Sequence, residues 1–115
     1  MLLPSFVLYS YSNLLLDLAR LNYSFCSAAD MATCQPKTVF LRHDVDFSLE
    51  LVLPMAEVEH RHGMAACYYV LLSGPYNPCS SASVSAMKQL RAMGHEIGLH
   101  YDLSLYPEES ELARR

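Results

Sequence analysis

The sequence predicts an α/β domain built on a parallel sheet, and three observations carry that reading. β-rich runs and helical patterns alternate between residues 38 and 99 in the order strand, helix, strand, helix, strand. The run at 64–72 is almost continuously apolar, as a strand covered on both faces requires. Two polar clusters, Arg42-His43-Asp44-Val45-Asp46 and Gly94-His95-Glu96-Ile97-Gly98-Leu99-His100-Tyr101-Asp102, end predicted strands where βα loops open.

Taken in order, residues 5–9 read as a short strand and residues 11–21 as a helix with Leu14, Leu15, Leu18 and Leu21 on one stripe. Residues 22–36 mix Asn, Ser, Ala, Cys and Pro and read mostly as loop. A strand is expected at 38–43, then a helix at 48–62 with Ser48 as N-cap and Gly63 just past its end. Pro54 falls inside that helix and should kink it or delay its start. Gly74, Pro75, Asn77 and Pro78 mark a loop after the 64–72 strand. A third helix at 80–93 has Val84, Met87, Leu90 and Met93 in phase and stops at Gly94. A short strand at 95–99 follows, and Pro107 with an acidic run suggests a helix start within 106–115.

Composition narrows the function classes. The 115 residues make one domain, too few for a closed eight-stranded α/β barrel, which needs roughly 200. Hydrophobic residues at 52% and charged residues at 17% exclude a disordered chain. Eight basic against twelve acidic side chains give a net charge of −4, which argues against nucleic-acid and anionic-membrane partners. No basic residue precedes Arg20, so a signal peptide is not expected. Asp17 and Arg20 cut the N-terminal apolar stretch below the roughly 20 residues of a membrane span. Cys26, Cys34, Cys67 and Cys79 show no two-residue gap of a zinc knuckle or redox site and are expected as free thiols in the reducing cytoplasm. Cys67, in an apolar run, reads as a small buried side chain.

The chemistry gathers at the two polar clusters. Strand alternation puts Phe40, Arg42, Asp44 and Asp46 on one face and Val39, Leu41, His43 and Val45 on the other. Two carboxylates on one face are hard to keep ionised and desolvated without a cation between them. One of them could ligate a metal while the other takes a proton; the competing reading is a solvated turn with Asp46 capping the next helix. In the second cluster Glu96, Gly98 and His100 share a face, with Asp102 next in phase. His100 leaves the sheet on the same edge as Asp44 and Asp46, and an imidazole with one or two carboxylates makes a divalent-metal set. His95 reads as structural, bonded to a backbone group or carboxylate, and Glu96 is expected to pair with Arg42 or His95. His60 and His62 complement the end of a helix dipole.

Three stretches carry a family resemblance: Lys37-Thr38-Val39-Phe40-Leu41-Arg42-His43-Asp44-Val45-Asp46, Gly63-Met64-Ala65-Ala66-Cys67-Tyr68-Tyr69-Val70-Leu71-Leu72, and the cluster from Gly94 to Asp102. In that order, at successive strand ends, they resemble polysaccharide deacetylases with a NodB homology domain, nearest the divergent RHDVD branch that includes WbmS-like proteins of surface-polysaccharide clusters. The resemblance covers residues 11–102. It implies the N-terminal part of an incomplete (β/α) barrel that hydrolyses N-acyl bonds of sugars or similar small substrates with a divalent metal, often zinc. It matches Asp44 to the base, Asp46 to the metal-binding Asp and His100 to the first metal-binding His.

The chain departs from that pattern at Ser104, where the family carries its second histidine; Asp102 is a candidate ligand in its place. The later family motifs, with an Arg partner for the base and a His general acid, have no counterpart in the 115 residues. Weak or no activity is therefore expected of this chain alone, together with aggregation, dimerisation or dependence on a further C-terminal segment. The alternative reading is a non-catalytic relative, a fold remnant or binding module that keeps the strand-end residues for structural reasons.

Overall fold

The structure is a computed structural model that describes residues 5–33 and 35–101; Cys34, Asp102, Ser104 and the helix start expected at 106–115 lie outside the described residues. The chain opens with α1 (Ser5–Arg20), passes through β1 (Ser24–Phe25) and a 3-10 turn (Met31–Thr33), and enters β2 (Thr38–Val39). It then runs through β3 (Arg42–Val45), a 3-10 turn (Glu50–Val52), α2 (Leu53–Arg61), β4 (Cys67–Leu71), α3 (Ser81–Ala92) and β5 (Glu96–His100). The class is α/β, as read from the sequence: strands β3, β4 and β5 form a parallel sheet in that order, and β1 pairs with β2 in a separate parallel pair.

Three expectations change. Residues 5–9 begin a helix instead of forming a strand, because nothing breaks the chain before Tyr11 and Leu8, Tyr11 and Leu15 fall one helical turn apart. That spacing is also the inward stripe: Leu15 is buried against Val58 and Met64, while Leu14 and Leu21 are exposed. The strand expected at 38–43 is divided into β2 and β3, and β3 runs on to Val45. In α3 the buried positions are Ser83, Ala86 and Leu90, spaced three and four, so Val84 turns outward and Met87 and Met93 are only half-buried. A strict three-residue repeat drifts around a helix of 3.6 residues per turn.

The helix ends follow the sequence closely. Pro54 sits in the first turn of α2, where its missing N–H is no loss, and the preceding residues form a 3-10 turn. Ser80 caps α3 by accepting from Ser83, but Ser48 is not the N-cap expected: it accepts the Glu50 N–H at 3.2 Å, while Leu49 precedes the 3-10 turn and Val52 precedes α2. Gly63 and Gly94 end α2 and α3 in the left-handed region, and the next N–H in each case reaches back five residues, Met64 to Glu59 at 2.9 Å and His95 to Leu90 at 3.1 Å.

The core lies on one side of the sheet. Val45, Tyr68 and Val70 project from β3 and β4 into a cluster with Leu49, Ala56 of α2 and Ala86 and Leu90 of α3. Both crossover helices thus join one core, and α1 packs on α2 through Leu15 and Val58, with Met64, just past the end of α2, in the same cluster. The register aligns Arg42, Cys67 and Glu96, and then Asp44, Tyr69 and Gly98, on the other face. Here a side chain at position 98 has no room: a Cβ on Gly98 would stand 2.6 Å from the Tyr69 ring, itself held under the Arg42 guanidinium at 4.2 Å. Gly98→Ala is expected to destabilise the domain by about 1–3 kcal/mol. A urea melt of that variant matching the wild type would show that the ring is free to step aside.

Candidate functional site

The carboxyl ends of β3 and β5 bring two of the site residues together. Asp46 leaves β3 immediately after Val45, the last paired residue, and His100 closes β5 abreast of Leu71. His100 Nδ1 stands 3.5 Å from Asp46 Oδ1. The Asp46 side chain is 58% exposed and that of His100 27%, yet His100 Nδ1 itself is buried and has no hydrogen-bond partner among the described residues. Asp46 caps no helix: the residue before α2 is Val52, and α2 has no side-chain cap.

Asp44 lines the same cleft as Asp46 but has a partner of its own. It accepts from Arg42 Nε at 3.0 Å, on the polar face of β3. Both partners are more than a third exposed, so this pair orients the carboxylate more than it stabilises the fold. A cleft of about 350 Å³ opens beside the two acids, walled by Val45, Phe47, Leu51, Val52 and Met55. Among the described residues no three His, Cys, Asp or Glu side chains gather closely enough to hold a metal by themselves, and Asp102, the third ligand considered from the sequence, lies outside them.

The fit to a divalent cation can be tested on this geometry. Two ligands at about 2.0–2.2 Å from a tetrahedral zinc ion stand roughly 3.3–3.6 Å apart. The Asp46–His100 separation falls in that interval, and among the described residues the buried imidazole nitrogen has no hydrogen-bond partner. Carboxylate oxygen and imidazole nitrogen are suitable donors for zinc and its neighbours. The pair therefore fits as two ligands of a larger set.

The neighbouring His43, one residue from Asp44, points to the opposite side and joins a centre that the sequence reading did not anticipate. Glu59 of α2 is fully buried. It accepts from the Tyr11 hydroxyl of α1 at 2.5 Å, from His43 Nε2 of β3 at 2.6 Å and from the Tyr68 hydroxyl of β4. Burial alone would raise the Glu59 pKa; the hydrogen bonds from His43, Tyr11 and Tyr68 outweigh it and hold the carboxyl below its ordinary value. The Tyr68 and Tyr11 hydroxyls are pushed up by burial and by the carboxylate beside them, so both remain donors. The one trace of this centre in the sequence is an acid three residues after Ala56, in phase with the buried face of α2.

His95 is structural, as expected. Its Nδ1 accepts from the Ala66 N–H at 3.0 Å and its Nε2 lies 2.8 Å from the Ala56 carbonyl, which suits a neutral ring protonated at Nε2. Glu96 pairs with neither Arg42 nor His95: it accepts the Ala28 N–H at 2.7 Å and ties the loop after β1 to the sheet. His62, at the end of α2, contacts Ser12 of α1 at 2.7 Å. Cys67 is buried in β4, as expected of a small apolar side chain.

Against known proteins, the chain matches no family model, no curated protein and no solved structure. Among the described residues no helix is long and apolar enough to cross a membrane.

Proposed function

We propose that this chain is the metal-binding part of a hydrolase that removes N-acyl groups from sugars or similar small substrates, with its strand–helix units forming the first part of a (β/α) barrel. The observation that carries the reading is the Asp46–His100 pair, 3.5 Å apart, with an imidazole nitrogen that has no hydrogen-bond partner among the described residues. The consecutive order of β3, β4 and β5, with α2 and α3 joined in one core, suits a barrel better than a doubly wound sheet. The free thiols of Cys26, Cys67 and Cys79 suit a cytoplasmic setting.

In this reading Asp46 and His100 hold a divalent cation, zinc by ligand type. When bound, such an ion supplies Lewis-acid polarisation of the acyl carbonyl. Asp44 takes the proton of the attacking water, and Arg42, 3.0 Å from Asp44, fixes the orientation of that carboxylate. The open cleft beside Asp44 and Asp46, with Val45, Val52 and Met55 in its wall, offers an apolar surface for the acyl group. The gathering of only two ligands among the described residues favours a second reading, a non-catalytic relative that keeps the strand ends for packing.

Zinc titration by calorimetry separates the two readings. The wild type is expected to bind at micromolar zinc, Asp46→Ala and His100→Ala to weaken binding by at least ~100-fold, and Asp44→Asn to bind nearly as the wild type. Absence of binding at micromolar zinc, or binding indifferent to both ligand substitutions, would leave the non-catalytic reading standing.

A further inference from the structure

Between the strands that carry Asp46 and His100 lies a side chain with no role in the proposed chemistry. Tyr76 sits in the loop after β4, half-buried against the core. Its hydroxyl donates to the Val45 carbonyl at 2.7 Å and accepts the Leu71 N–H at 2.9 Å. Those two backbone groups are special. Val45 is the last residue of β3 to pair with β4, and Asp46 follows it directly. Leu71 is the last residue of β4 and lies abreast of His100 in β5.

We propose that Tyr76 is a positioning residue for the Asp46–His100 pair: its hydroxyl clamps the carboxyl ends of β3 and β4 together and so sets the distance between the two side chains. The inference rests on the reading of that pair as a metal site. The reasoning is geometric. Asp46 belongs to β3 and His100 to β5, with β4 between them, so their separation depends on how two neighbouring strand ends are spaced. The β4–β5 side is held by pairing through Leu71 and His100, whereas β3–β4 pairing stops one residue before Asp46. A single phenol closes that open end. The hydroxyl has one proton and free lone pairs, so it donates to Val45 while it accepts from Leu71. Because this support acts through the backbone, it tunes ligand placement without touching the ion.

The test compares Tyr76→Phe with Tyr11→Phe, which removes a hydroxyl from the Glu59 centre instead. Cobalt binding is followed by visible absorption and stability by urea melts. Cobalt affinity is expected to fall about tenfold in Tyr76→Phe and to stay within about twofold in Tyr11→Phe, even where Tyr11→Phe is the less stable protein. Equal affinities for Tyr76→Phe and the wild type, or equal losses in both variants, would overturn the inference. A wild type that binds no cobalt would instead sink the metal reading itself. The clamp is then decided in the metal-free protein by hydrogen exchange at the Leu71 amide: at least tenfold faster exchange in Tyr76→Phe sustains it, and unchanged exchange refutes it.

Discussion

Glu59→Ala is expected to cost roughly 3–5 kcal/mol of stability, a large part of what a domain of this size commands. The loss does not come from the carboxylate alone. Its removal leaves the Tyr11 and Tyr68 hydroxyls and the His43 N–H without their acceptor, on three different elements, around a position with no exposed surface of its own. The exposed neighbour Glu57 supplies the control, since Glu57→Ala should move stability by less than about 0.5 kcal/mol. The same carboxylate makes the fold acid-sensitive, with a definite sign. Its folded pKa lies below the ordinary value of 4.5, so its contribution is complete above pH 4.5 and is lost as the pH falls from there through the folded value. Glu59→Gln removes the ionisation and should flatten that acid limb. Urea melts from pH 7 to pH 3 check both statements; a Glu59→Ala cost under about 1 kcal/mol would mean that the centre stores little energy.

Leu90→Ala is expected to cost about 2–5 kcal/mol, the range for deleting a buried leucine whose surroundings cannot fully collapse. Leu90 is fully buried, and it shares the cluster with Tyr68 and Val70 of the central strand and with Ala56 and Ala86 of the two crossover helices. Small alanines on both helices let the backbones approach the sheet, and how far Met55, Met87 and Met93 at the cluster's margin close the hole sets where in that range the cost falls. Val84→Ala, six residues earlier on the outward side of the same helix, should change stability by less than about 1 kcal/mol. Equal effects of the two substitutions in denaturant melts would restore the three-residue stripe expected from sequence.

The motif around residue 44 divides its work by strand geometry. His43 and Val45 face the helices, one in the Glu59 centre and one in the apolar core. Asp44 faces the other way beside Arg42, and Asp46 steps out of the ladder toward His100. A substitution at His43 should therefore act through stability, and one at Asp46 through ligand binding, although only two residues lie between them.

The local chemistry of the chain was legible without coordinates. Pro54 delays α2, Ser80 caps α3, and Gly63 and Gly94 end their helices because each of these features depends on a residue's own backbone preference and its nearest neighbours. The alternation of faces through Arg42, His43, Asp44 and Val45 was equally readable, since a strand repeats every two residues whatever surrounds it. Only the tertiary structure decided which side of each helix turned inward, because helical phase against a core is set by what stands opposite, and Leu15 and Leu90 outcompeted Leu14 and Val84. Only it joined Tyr11, His43, Glu59 and Tyr68, or placed the Tyr76 hydroxyl between Val45 and Leu71. Those contacts bridge 5 to 48 residues of chain, and no pairwise preference along a sequence records where a buried acid will find its donors.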